Sequence, residues 1–221
     1  MLLKNHCINN LEQFLTIRHD DFSETLVEEP QSDYGFTYAD YLTWNFKERI
    51  ELIRGKIFKM CPAPSPQHQV IAADLFAFFV RKLKDGPCKM LFAPLDVRLK
   101  GKPFRNKKRR DDQITTVVQP DIIVVCDPGK LDDPRSIDGA PEMVIEILSP
   151  GNSKTETKYK LDLYEENGVL EYWVVYPPFK MVHVFLLKDD AYGKPLIYES
   201  GDKIPCAVLK GIKIPVDEIF K

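Results

Sequence analysis

No apolar run in this 221-residue chain is long enough to cross a bilayer, which takes about 20 residues. The best stretch, Val70 to Val80, is interrupted by Asp74. The start of the chain, with Lys4, His6, Asn9 and Asn10, lacks the apolar core of a secretory signal. The five cysteines (Cys7, Cys61, Cys88, Cys126, Cys206) show neither CxxC nor zinc-finger spacing. An odd, unpatterned set of this kind predicts reduced thiols in a cytoplasmic protein with no membrane attachment. An excess of positive charge is also missing. Net charge is −2 and the pI is about 6.1, so a polyanion would have to meet a local basic patch. Internal repeats and low-complexity tracts are absent as well.

What is present suffices for one sizeable domain, residues 37–221, preceded by an N-terminal extension, residues 1–36. The extension turns acidic at Asp20, Asp21, Glu24, Glu28 and Glu29, and has too few apolar residues to fold alone. Thr37 caps a short helix, and Arg54-Gly55 turns a hairpin. Ser65 and Pro66 open a helix from Gln67 to Lys84 with Ile71, Ala72, Leu75, Phe76, Phe79, Val80 and Leu83 on its apolar stripe. Strands follow near Met90–Leu99, Val117–Cys126 and Met143–Leu148. Ser153, with Glu156 as capping-box partner, starts a further helix that ends at Gly168. Val169–Tyr176 and Met181–Leu187 are two more strands, joined at Pro177-Pro178. The tail adds short extended pieces.

Two acidic residues stand out because of their surroundings. Asp121 opens the run Ile122-Ile123-Val124-Val125, and Glu146 sits within Met143-Val144-Ile145-Glu146-Ile147-Leu148. Continuous Val/Ile runs read as strands covered on both faces. A carboxylate buried there without a partner is costly, so a divalent ion shared by both is the natural neutraliser. Metal-dependent phosphodiesterases built on such a strand often carry a lysine where this chain has Leu148. On the following helix, at roughly 100° per residue, Lys160 falls in the apolar arc of Tyr159, Leu161, Leu163 and Tyr164. Lys158 falls on the opposite face with Asp162, Glu165 and Glu166. Simpler explanations exist for each residue. Asp121 could cap a helix or meet an arginine, Lys160 could snorkel to water, and Glu156 could serve only as a cap.

At these residues the chain resembles the Uma-two family, endonuclease-like proteins of the PD-(D/E)xK superfamily. The resemblance runs from about Thr37 to Tyr176. It takes in Tyr38-Ala39-Asp40-Tyr41, Glu51-Leu52-Ile53-Arg54-Gly55, Pro62-Ala63-Pro64-Ser65 with His68, and Ala93-Pro94-Leu95-Asp96-Val97-Arg98-Leu99. It continues through Gln119-Pro120-Asp121, Glu146-Ile147-Leu148-Ser149-Pro150, Lys160-Leu161-Asp162-Leu163-Tyr164 and Gly168-Val169-Leu170-Glu171-Tyr172-Trp173. It implies an α/β fold of the restriction-endonuclease type, with a mixed sheet flanked by helices and one site at a sheet edge. It also implies a Mg²⁺ site on Asp121 and Glu146, with Mn²⁺ able to substitute, and a displaced lysine that agrees with Lys160. Glu51 and His68 match further recurrent polar positions. Glu156 and Tyr176 stand where relatives often carry aspartate. DNA is the implied substrate and a homodimer the implied assembly.

His68 heads its helix's apolar stripe, so it is either a satisfied core histidine or a site residue that orients water or contacts phosphate. Glu51 could complete the metal shell. Asp96 shares a strand face with Arg98, which predicts an internal ion pair. Lys100, Lys102, Arg105, Lys107, Lys108, Arg109 and Arg110 crowd the connection before Asp121. Charge runs are usually solvated loops, yet Lys107, Lys108, Arg109 and Arg110 are where a phosphate backbone would be met. The sequence thus predicts a metal-dependent endonuclease. Its rivals are a nucleic-acid-binding or regulatory module on an inactive nuclease fold, kept open by Leu148, and a purely structural interaction module.

Overall fold

Turn and break residues divide the chain before any packing does. Residues 35–60, 63–84, 86–105, 107–149 and 154–221 are described by this computed structural model, Lys154 to Glu156 by backbone alone. Most of the expected extension 1–36, and the Ser153–Glu156 cap, lie outside the described residues. Arg54 and Gly55 both take positive φ, 50° and 76°, the geometry of a two-residue turn that matches strand twist. They join β1 (Ile50–Ile53) to β2 (Lys56–Lys59). Thr37 caps α1 (Tyr38–Tyr41) in a capping box with Asp40. Ser65 accepts from the His68 backbone N–H at the start of α2 (Pro66–Leu83). Phe78 joins the buried stripe of α2, whereas Val80, placed there by helical spacing, is exposed.

Two stretches that read as single strands are each split at a proline. β3 (Lys89–Phe92) and β4 (Asp96–Arg98) flank Pro94, and β5 (Val117–Val118) and β6 (Ile122–Val125) flank Pro120. Proline has no N–H to give a ladder, and at each one the chain passes between sheets. The remaining elements are β7 (Ser136–Asp138), β8 (Met143–Ile147), α3 (Lys154–Asn167), β9 (Glu171–Tyr176), β10 (Met181–Lys188), β11 (Ala191–Tyr192), β12 (Leu196–Tyr198), β13 (Lys203–Pro205) and β14 (Lys213–Pro215).

The larger sheet runs β11-β10-β9-β8-β6-β3, with β12 also paired to β10. β8 is parallel to β9 and antiparallel to β6. A second sheet runs β2-β1-β5-β4-β7, and β13-β14 form a third. One face of the large sheet packs Ile122, Val124, Ile145 and Trp173 against Ile71, Leu75 and Phe79 of α2. The other packs Ile123, Val144 and Val174 against Leu163 and Tyr164 of α3 and Ile53 and Val118 of the second sheet. Burial on both faces is why these strands are continuously apolar. The fold is α/β, with mixed sheets flanked by helices. No described helix is long and apolar enough to cross a membrane.

Two expectations are corrected here. Lys89 pairs with Val125, so Cys88 and Cys126 face each other one step further along, and they form a disulfide. Spacing along the chain hid this cross-strand neighbour, and the expectation of wholly reduced thiols fails. Asp96 and Arg98 do not pair either. Arg98 is met by Asp111 at 3.1 Å, Asp133 at 3.1 Å and Asp138 at 3.5 Å, acids that later segments bring to it. Asp96 instead accepts from Tyr41 Oη at 3.1 Å and Gln119 Nε2 at 2.8 Å.

Glu171, fully buried at the start of β9, ties the C-terminal tail to the large sheet. Its carboxylate accepts from Trp173 Nε1 at 2.7 Å, Val208 N at 2.8 Å and Cys206 Sγ at 3.3 Å. Glu171→Ala leaves the buried Trp173 indole N–H and the part-buried Val208 N–H unpaired, and is expected to cost about 2–4 kcal/mol in urea unfolding at neutral pH. A loss below about 1 kcal/mol would remove Glu171 as the anchor of the tail.

Candidate functional site

The site forms where β6 and β8 meet. Their antiparallel register, Ile122 opposite Ile145, puts Asp121 opposite Glu146 at the next step, on the same sheet face. That face is the one covered by α3, so Glu146 is buried beneath the helix while Asp121, just ahead of β6, stays partly open.

Four elements supply the neighbours. Lys160 of α3 is buried and donates its ammonium to Glu146 Oε1 at 3.0 Å, with Glu51 Oε1 at 3.6 Å. Lys158 is exposed. Tyr164, one turn beyond Lys160, donates its hydroxyl to the same Glu146 oxygen at 2.6 Å. Glu51 of β1 accepts from the Gln119 backbone N–H at 2.9 Å. His68 from the first turn of α2 lies with Nε2 3.0 Å from Asp121 Oδ2, which also accepts from Ile147 N at 2.8 Å. His68 Nδ1 is buried with no partner among the described residues.

The electrostatics follow from this crowding. Burial pushes the Glu146 carboxyl up to about 7; Lys160 opposes the rise, Asp121 and Glu51 add to it, and the Tyr164 hydrogen bond opposes it. Burial holds Tyr164 well above the ordinary phenol range, reinforced by the charges of Glu146 and Glu51, so it remains a donor. Burial disfavours a charged His68, but the hydrogen bond and charge of Asp121, aided by Glu146, outweigh it and raise the imidazole.

The donor chemistry fits a small hard cation. Asp121 Oδ2 and Glu146 Oε1 are held by protein donors, while Asp121 Oδ1 and Glu146 Oε2 make no hydrogen bond among the described residues. Among those residues no group of three or more His, Cys, Asp or Glu side chains forms a ready cage. Mg²⁺ needs none, because it usually takes one or two carboxylates and completes its octahedron with water and phosphate oxygens.

Asp121, Glu146, Lys160, Glu51 and His68 are thus brought together. Lys107, Lys108, Arg109 and Arg110 are not. Arg110 is paired with Asp112 at 2.6 Å, and Arg109 donates to Lys100 O at 3.2 Å while stacking on Phe104. Lys107 lies over the same ring, and Lys108 is exposed. Arg105 holds this segment on the carbonyls of Glu165 and Glu166 at the far end of α3, roughly 8 Å along the axis from Lys160 at 1.5 Å per residue. Two site residues escaped the sequence reading. Tyr164 had a visible signal, its four-residue spacing from Lys160; Gln119 acts through its backbone N–H and had none.

This architecture has a counterpart among solved structures. It is similar to the crystal structure of a protein of Anabaena variabilis ATCC 29413 described as "a putative nuclease belonging to DUF820". The TM-score is 0.66 at 18% identity, covering 84% of this chain and 97% of that one. The chain belongs to the Uma2 family, described as "Putative restriction endonuclease", whose model matches residues 38–217. It is also 25% identical over 185 residues to the uncharacterized protein slr1290 of Synechocystis sp., covering 82% of this chain and 90% of that protein.

Proposed function

We propose that this chain is a Mg²⁺-dependent endonuclease, with Mn²⁺ able to substitute, that hydrolyses phosphodiester bonds in DNA. The observation that carries this reading is the Lys160 ammonium set against Glu146 and Glu51 beside Asp121, which supplies the cation missing at Leu148. A divalent ion held by Asp121 and Glu146 would activate water and polarise the scissile phosphate. Lys160 provides a fixed positive charge for the negative charge that grows on the phosphate. Tyr164 and Lys160 occupy one oxygen of Glu146, which leaves the other to face a ligand. His68 and the Ile147 N–H fix Asp121, and the Gln119 N–H fixes Glu51. A homodimer, one subunit per strand, belongs to the same proposal.

Asp121→Asn tests it by two readouts. The variant is expected to lose cleavage of duplex DNA and also the rise in unfolding temperature that millimolar Mn²⁺ gives the wild type. Unchanged cleavage, or unchanged stabilisation by Mn²⁺, contradicts the assignment of Asp121.

A further inference from the structure

Arg49 and Gln119 each stand two residues before a site acid, Glu51 and Asp121 respectively. Met60 N donates to Arg49 O at 3.0 Å, so the β1–β2 pairing reaches Arg49 and puts it on the same face as Glu51. Among the described residues, Arg54, Arg98, Arg105, Arg110 and Arg135 are neutralised by carboxylates. Arg49 is exposed, and its Nε and Nη2 both donate to the neutral Gln119 Oε1, at 3.0 and 2.8 Å. Gln119 is itself held, its Nε2 donating to Asp96 Oδ1 at 2.8 Å and to Tyr41 Oη at 3.3 Å. The guanidinium is therefore fixed in direction, keeps its charge, and retains Nη1 and one N–H of Nη2 for a ligand. Asp96, the acid behind Gln119, is partly buried and already committed to the amide and the phenol.

The same clamp meets an aromatic ladder. Tyr41 lies 5.8 Å from Trp44 between ring centres, and Trp44 lies 5.5 Å from Phe46 and 5.0 Å from Phe36. Phe46, at the outer end, is 44% exposed and is followed at once by Lys47. A fixed cation joined through Gln119 and Tyr41 to a row of rings whose last member, Phe46, is exposed offers the two contacts that hold a nucleic-acid strand with an unstacked base, phosphate on the cation and base on the ring. A blunt duplex offers only the phosphate.

We infer that Arg49 and the Trp44–Phe46 ladder form a strand-binding subsite beside the acids, which makes a nucleic acid with an unpaired nucleotide next to the scissile phosphate the preferred substrate. This inference rests on the nuclease reading and extends it. Its test is fluorescence anisotropy of the full-length protein in EDTA, with a labelled blunt duplex and the same duplex carrying a short single-stranded overhang, alongside cleavage of both in Mg²⁺. Wild type is expected to bind the overhang form about 10-fold more tightly. Phe46→Ala is expected to erase that preference, and Phe46→Trp to keep it. Arg49→Ala is expected to weaken binding to both and to lower the salt slope by about one. Wild-type cleavage with both alanine variants binding like wild type overturns the subsite and leaves the nuclease reading standing. A wild type that neither binds nor cleaves either oligonucleotide overturns the nuclease reading and the subsite with it.

Discussion

Lys160→Met is expected to reduce phosphodiester hydrolysis by at least about 10²-fold, the scale of losing one fixed charge-stabilising group. The variant removes the only ammonium against Glu146 and Glu51 in the described site and keeps the apolar stem that packs in α3's buried face. It also leaves two acids facing each other without their cation, a change that costs about 3–5 kcal/mol when the remaining charge stays buried. Glu146 relieves part of this by taking up a proton. The double variant Lys160→Met/Glu146→Gln is expected to recover most of the unfolding temperature; because Glu146 is itself a proposed metal ligand, cleavage is read in Lys160→Met alone, at a temperature where that variant is folded. Lys158→Ala, two residues away on the wet face, is expected to leave both unchanged. Full cleavage by the Lys160 variant in a folded protein would remove Lys160 from the chemistry and leave the charge on the phosphate to be met by other groups.

The second large effect is on stability against pH in the metal-free protein. Glu146 keeps its proton up to about 7 when folded, against an ordinary value of 4.5. Between those values the folded state binds more protons than the unfolded one, so stability falls as pH rises through the window. The full excursion is worth on the order of 3 kcal/mol at 1.36 kcal/mol per unit. His68, raised by its carboxylate neighbours, acts in the same direction above its ordinary value of 6.5: its contribution is present below that value and lost as pH rises through the folded one. Chemical unfolding at pH 5, 6, 7 and 8 in chelator therefore shows a declining wild type. Glu146→Gln cannot titrate there, so its decline is expected to be flatter by the Glu146 share. Parallel pH profiles for the two proteins would mean that Glu146 is ionised throughout.

Much of this arrangement was written in the sequence where the physics is local. The Ser65-Pro66 start, the Arg54-Gly55 turn and the apolar period of α3 each depend on residues within one or two turns. The wheel position of Lys160 against Lys158 is of the same kind, and so is the parity that keeps Asp121 and Glu146 in long apolar runs. What was not legible depends on partners remote in sequence. Cys88 and Cys126 meet only because of the β3–β6 register. Arg98 draws Asp111, Asp133 and Asp138 from separate segments and leaves Asp96 to Tyr41 and Gln119. Pro94 and Pro120 were visible, but not that each carries the chain into another sheet. The basic segment read as one finger because charge counts do not reveal pairing; Arg105 and Arg110 are engaged by acceptors within the protein.

We propose hydrolysis of nucleic acid at the Asp121–Glu146–Lys160 site under a divalent ion. It is tested most directly by following supercoiled plasmid and labelled oligonucleotides over time with purified protein in Mg²⁺, in Mn²⁺ and in chelator. Asp121→Asn and Lys160→Met are run beside the wild type. Cleavage by the wild type in either metal, none in chelator, and none by the two variants is the predicted result. Cleavage that persists in chelator or in both variants would contradict it, as would intact substrate in every lane.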